Sequence, residues 1–146
     1  GSTRNTGPPT PNTGRSFMPH TTLIPATAQP VANYKMATRC ESGHLLFLPT
    51  IAPVNPEGVV ISPGDIRGQT RVIFRRLSQL LTESNGSFDS LVKLTTWLTS
   101  MEDFPVSKEV RDEYISSQAP PATLLEVPVL FYTDQLIQVE AIALID

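Results

Sequence analysis

Glu140 is the residue best placed by sequence to do chemistry. It stands in Ile137-Gln138-Val139-Glu140-Ala141-Ile142-Ala143, an otherwise apolar run near the C-terminus. A carboxylate there is costly to bury unless it is paired, hydrogen-bonded or protonated. Two readings fit: a general acid/base or water-holding carboxylate in a pocket, or an exposed or ion-paired strand residue. Glu126, between Leu125 and Val127, has a similar setting and the same two readings. Other candidates are weaker. Cys40 follows Arg39, and an adjacent cation lowers a thiol pKa. No Cys–His–Asn spacing supports a nucleophile, so a structural or exposed thiol accounts for it. His20 and His44 belong to no metal pattern, and one cysteine gives neither a thiolate zinc site nor an internal disulfide. Gly64 and Gly68 are isolated and form no phosphate-cradling GxGxxG loop. No metal is expected.

These residues must be held by one domain, because 146 residues is the length of one and not two. The chain is 40% hydrophobic, enough for a sizeable core, and 17% charged, below the roughly 25% usual for soluble domains. Eleven Lys and Arg against fourteen Asp and Glu give a net charge of −3. That balance argues against a nucleic-acid partner, which needs a basic surplus or patch. No run approaches the ~18 apolar residues of a membrane span, and the N-terminal stretch lacks the apolar core of a signal peptide. A cytoplasmic protein without a membrane partner is the expectation. Prolines are uneven: Pro8, Pro9, Pro11, Pro19, Pro25 and Pro30 fall early, while the first acid is Glu41. Residues 1–24 therefore read as a disordered or strap-like Pro/Thr-rich tail, with Gly1-Ser2 an expression scar. Residues 25–146 read as the folded domain.

Within that domain, Tyr34–Arg39 and His44–Leu48 flank Glu41-Ser42-Gly43 as two short strands around a turn. Pro49 to Pro63 is loop-rich, with Val59–Ile61 a possible short extended piece. Ser62-Pro63-Gly64-Asp65 supplies an N-cap, a proline at the first helical position and an acid in the first turn. Ile66, Ile73, Leu77, Leu80 and Leu81 then share a helical face, with Arg67, Arg71, Arg75 and Arg76 on a solvated one. Asn85-Gly86 stops the helix. Leu91–Thr99 reads as a strand covered on both faces. A second helix starts near Asp103-Phe104-Pro105, with Asp103 as cap, and ends before Ala119-Pro120-Pro121. Thr123–Leu130 and Leu136–Ile145 are the closing strands. The order ββ(β)αβαββ predicts an α+β domain, a mixed sheet with two helices on one face. Its other face is apolar, and an oligomer is expected to cover it.

Three stretches carry a resemblance. Ala52-Pro53-Val54-Asn55-Pro56 forms one. Gln69-Thr70-Arg71 to Leu80, followed by Asp89–Thr95, forms the second. Met101-Glu102-Asp103-Phe104, Pro121-Ala122-Thr123, Leu125-Glu126-Val127 and Val139–Ala143 form the third, in order and spacing. Together they make residues 25–145 similar to the RidA family, also called the YjgF/YER057c/UK114 family. The resemblance implies a chorismate-mutase-like fold and a homotrimer whose sheets close a central β-barrel, with small-molecule clefts between subunits. It implies hydrolysis of reactive enamines and imines, such as 2-aminoacrylate, to 2-keto acids and ammonia, with no cofactor. Glu140 falls on the family's water-positioning glutamate and Tyr34 on its cleft tyrosine.

The match departs from the family pattern at the substrate anchor. Thr123 stands where an arginine is expected, Pro49 and Thr50 replace a Ser-Gly pair, and Leu125 replaces a frequent cysteine. A threonine hydroxyl cannot supply the bidentate contact an arginine gives a carboxylate. With Ile51, these replacements predict a more apolar cleft for a larger, less charged ligand and a raised Glu140 pKa. The expected function is a divergent enzyme using Glu140 as acid/base, with Thr123 and Tyr34 as polar contacts. Pro49, Thr50, Ile51, Leu125 and Glu126 would shape the pocket. The reaction would be hydrolysis, tautomerisation, dehydration or cyclisation of a reactive intermediate in a specialised pathway. Efficient 2-aminoacrylate hydrolysis is not expected. The alternative is a non-catalytic binding or regulatory trimer. An endoribonuclease role is disfavoured by the net charge and the absence of an aromatic stacking platform.

Overall fold

The computed structural model describes residues 20–23, 35–115 and 119–146, with side chains from residue 35 onward. Tyr34 and most of the predicted tail lie outside the described residues. The elements are β1 (His20–Leu23), β2 (Ala37–Cys40), β3 (His44–Phe47), α1 (Ile66–Glu83), β4 (Leu91–Leu98), α2 (Phe104–Tyr114), β5 (Ala122–Glu126) and β6 (Ile137–Ile145).

Four strands make the main sheet in the order β3-β6-β4-β5. β6 pairs antiparallel with both β3 and β4, while β4 and β5 are parallel and joined through α2. Ile137, Val139, Ala141 and Ala143 alternate along β6 and are all buried. They meet Leu94 and Leu98 of β4 and Ile73, Leu77 and Leu81 of α1 in one core. Burying each large aliphatic side chain of this kind contributes about 1.5–3 kcal/mol. Phe74, off the predicted α1 stripe, is buried in an aromatic cluster with Phe88 and Tyr114. Arg67 and Arg71 of α1 pair with Glu109 and Glu113 of α2, so the predicted solvated face is also a helix–helix seam.

The α+β expectation of a mixed sheet with two helices on one face matches the fold. The boundaries differ in instructive ways. α1 starts at Ile66, not at Pro63, because Asp65 is its cap and its side chain accepts from the Gly68 N–H at 3.1 Å. Ser62 instead adopts φ +54, which turns the chain before the helix. Asp103 makes no side-chain cap bond; Ser100 caps the preceding 3-10 turn, and Pro105 stands in the first turn of α2. β5 ends at Glu126, two residues before Pro128. Val59–Ile61 contributes only an isolated bridge between Val54 and Val60. β2 pairs with β1, a strand inside the predicted tail, with His20 opposite Cys40 and Leu23 opposite Ala37.

Candidate active site

The register of the main sheet builds a grid on the face away from the helices. Alternation puts Gln138, Glu140 and Ile142 of β6 on that face, opposite in sense to the buried Val139 and Ala141. Residues directly opposite in a ladder share a face. Glu140 is opposite Thr95 of β4, and Thr95 is opposite Thr123 of β5. One row on, Gln138, Trp97 and Leu125 stand in line; one row back, Phe47 and Lys93 flank Ile142. Glu140, Thr123 and Leu125, three of the predicted site residues, are thus brought onto one surface.

Glu140 is exposed in the single subunit and has no hydrogen bond or ion pair among the described residues. The apolar shielding expected around it is not supplied by its own subunit. A cation does stand beside Thr123: Lys93 Nζ donates to Thr123 Oγ1 at 3.0 Å. Sequence reasoning missed Lys93. Its signal was a charge in the apolar run Leu91–Leu98, at alternate spacing with Thr95 and Trp97.

The remaining predicted residues lie elsewhere. Pro49, Thr50 and Ile51 wall an open pocket of about 560 Å³ that also takes in Arg76, Tyr132 and Gln138. Ile51 is tied to Val139 by backbone bonds of 2.8 and 3.2 Å, which sets this loop beside Glu140 in the chain of contacts. Arg76 is held in the wall through a 2.8 Å bond to the Ala52 carbonyl. Glu126 belongs to neither place: its Oε1 accepts from the Met101 N–H at 2.8 Å and fixes the turn before α2. Cys40 is exposed, and no metal-holding cluster occurs among the described residues. No helix among the described residues is long and apolar enough to cross a membrane.

An exposed carboxylate with one threonine directly across the ladder, and a second in the same row that accepts from an ammonium, can hold a water and move a proton. Comparison with known proteins agrees with the fold that carries it. The family model described as Endoribonuclease L-PSP matches residues 25–145. A RutC family protein of Pyrococcus abyssi is 33% identical over 115 residues, 79% of this chain and 88% of its own. The 3-aminoacrylate deaminase RutC of Acinetobacter baylyi is 26% identical over 127 residues, 86% of this chain and 98% of its own. A crystal structure of the Rid family protein YyfB from Yersinia pestis superposes with a TM-score of 0.77 at 20% identity, covering 88% of this chain and all of that one. With a match over nearly the whole domain and a relative at one-third identity, the chain belongs to the RidA family, the group of Rid and RutC proteins described by that endoribonuclease L-PSP model.

Proposed function

We propose that this protein hydrolyses a reactive enamine or imine, with Glu140 as the acid/base, in a cleft completed by neighbouring subunits of a homotrimer. The observation that carries this reading is the Glu140 carboxylate, exposed and unpaired among the described residues between the buried Val139 and Ala141. Directly across the ladder stands the hydroxyl-bearing Thr95, and Thr123 follows in the same row on the next strand. The name of the 3-aminoacrylate deaminase relative supports the reaction class.

In this reading an enamine first takes a proton from solvent on carbon and becomes an iminium ion, the protonated form of the imine. Glu140 then accepts a proton from water as the water oxygen bonds to the iminium carbon, giving a neutral carbinolamine. Returning that proton to nitrogen lets the carbon–nitrogen bond break, releasing ammonia, and the hydroxyl gives its proton back to solvent as the carbonyl forms. The cycle consumes one water and needs no metal or redox partner. Thr123 and Tyr34 make polar contacts, and Pro49, Thr50, Ile51 and Leu125 shape the cleft. Thr123 provides no guanidinium fork, so 2-aminoacrylate is a slow substrate in this reading.

The test is to generate 2-aminoacrylate enzymatically and follow pyruvate with and without the protein. A modest acceleration is expected, falling about 100-fold or more in Glu140→Gln and rising in Thr123→Arg. If neither 2-aminoacrylate nor other enamines and imines are accelerated, a non-catalytic binding trimer replaces the enzyme.

A further inference from the structure

We infer that a cavity between α2 and the β4–β5 side of the sheet is a second binding site, and that it takes a small aromatic carboxylate. It lies on the sheet face opposite Glu140, and the inference does not depend on the reaction proposed above. The cavity measures about 170 Å³, close to the roughly 150 Å³ that accepts benzene in an apolar protein interior. Its floor comes from the sheet. Leu94 and Thr96 alternate with Thr95 and so face the helices, and they stand opposite Ala122 and Leu124 of β5. Its roof is one face of α2, where Phe104, Ser107, Lys108 and Arg111 fall three or four residues apart. Buried Phe74 closes the inner end.

Two observations give the guest a polar, negative end. The first is Ser107, which is 6% exposed and whose Oγ has no hydrogen-bond partner among the described residues. A buried hydroxyl is seldom left so, and a guest acceptor would satisfy it. The second is charge. Lys108 and Arg111 both line the cavity, and the acid beside them is Asp112. It accepts from Lys108 Nζ at 2.6 Å and from Arg111 Nε and Nη2 at 3.4 Å. One carboxylate between two cations leaves the mouth net positive. The Arg111 contacts are long for hydrogen bonds, and its side chain is 16% exposed, so its fork stays at the cavity with donors available. Ser107 and Arg111 stand one turn apart on the same helix face, so one carboxylate can meet both. That leaves the ring directed toward Phe74, Phe104 and Leu94. A cationic guest would meet like charge, and a hydrocarbon would leave Ser107 unpaired.

Titration of the full chain with 4-fluorobenzoate and with 4-fluorobenzamide, its uncharged match, followed by fluorine NMR, tests this. The carboxylate should bind with a Kd on the order of 1 mM or below, and the amide about tenfold more weakly, the value of one charge-assisted contact. Arg111→Met should bring the two probes to equal affinity. Ser107→Leu, which fills the cavity, should abolish binding of both. Far-UV circular dichroism checks folding, and Ser107→Val serves if Ser107→Leu does not fold. Glu140→Gln, on the other face, should bind the probes like wild type. No binding by wild type at about 10 mM, equal binding of the two probes, or binding that survives the Ser107 variants overturns the inference. Loss of binding in Glu140→Gln also overturns it, since the probe would then sit in the other cleft. If Glu140→Gln binds normally and keeps full turnover, the acid/base reading alone fails and the second site stands.

Discussion

Glu140 and Lys93 stand one register row apart on the same sheet face, within diagonal reach of a long side chain. The lysine nevertheless turns to Thr123 on the opposite flank. An exposed pair would contribute only about 0–1 kcal/mol, so keeping the two charges apart costs the fold little. Gln69 is the opposite case. It is fully buried, and its amide donates to the Ser62 and Asp134 carbonyls at 3.1 and 2.9 Å. Its Oε1 accepts from the Leu136 N–H at 2.8 Å. One side chain thereby closes three main-chain valences from the two loops that lead into α1 and β6. Gln69→Met keeps the volume and strands those groups, so a loss of about 3 kcal/mol is expected in urea unfolding. A loss below about 1 kcal/mol would mean that water replaces the amide there.

Elements explain which parts of this arrangement were legible in the sequence. α1 was legible because its apolar spacing and Asn85-Gly86 stop are local signals; Asn85 does adopt φ +60. Its start was ambiguous because Ser62 and Asp65 are both good caps, and only the bond from Gly68 selects Asp65. Glu140 was legible because alternation in β6 isolates it. Lys93 shares its face with Thr95 and Trp97 by the same alternation, but its bond to Thr123 joins strands that only the fold brings together. β1 was hidden in a stretch of tail composition, since its pairing partner β2 is distant in sequence. The start of α2 gives a pH prediction. Burial, and then the charge of Glu102, hold the Asp103 carboxyl above its usual range. The folded chain therefore binds that proton more tightly than the unfolded chain. The resulting stability is present below the unfolded pKa of about 3.9 and is lost as pH rises through the folded value. Because Asp103 makes no side-chain cap bond, Asp103→Asn should remove this loss. Melting curves should show the variant gaining about 1–2 °C on wild type at pH 7 and nothing near pH 3. Equal shifts at both pH values would refute the titration argument.

At the scale of the whole molecule, the face that carries the site also exposes large apolar side chains. Phe47 is 70% exposed, Leu45 54% and Leu125 39%, and Leu45 is opposite Leu144 as Phe47 is opposite Ile142. Contiguous apolar surface of this kind marks an interaction face. A second and third copy are the proposed cover, and they would also enclose Glu140, which its own subunit leaves open. A sheet face kept for such contact would account for the low charged fraction of 17%. Sedimentation equilibrium is expected to give about three times the 16.0 kDa chain mass. Phe47→Glu would place an unpaired carboxylate in each interface, a cost of several kcal/mol per site repeated by symmetry. That variant should sediment mainly as monomer and melt at a temperature independent of concentration. Arg75→Ala, on the exposed side of α1, should leave the mass unchanged. A monomeric wild type would remove the trimer and the shared cleft together. A trimeric Phe47→Glu would instead place the contact elsewhere on the sheet and leave Phe47 for the ligand.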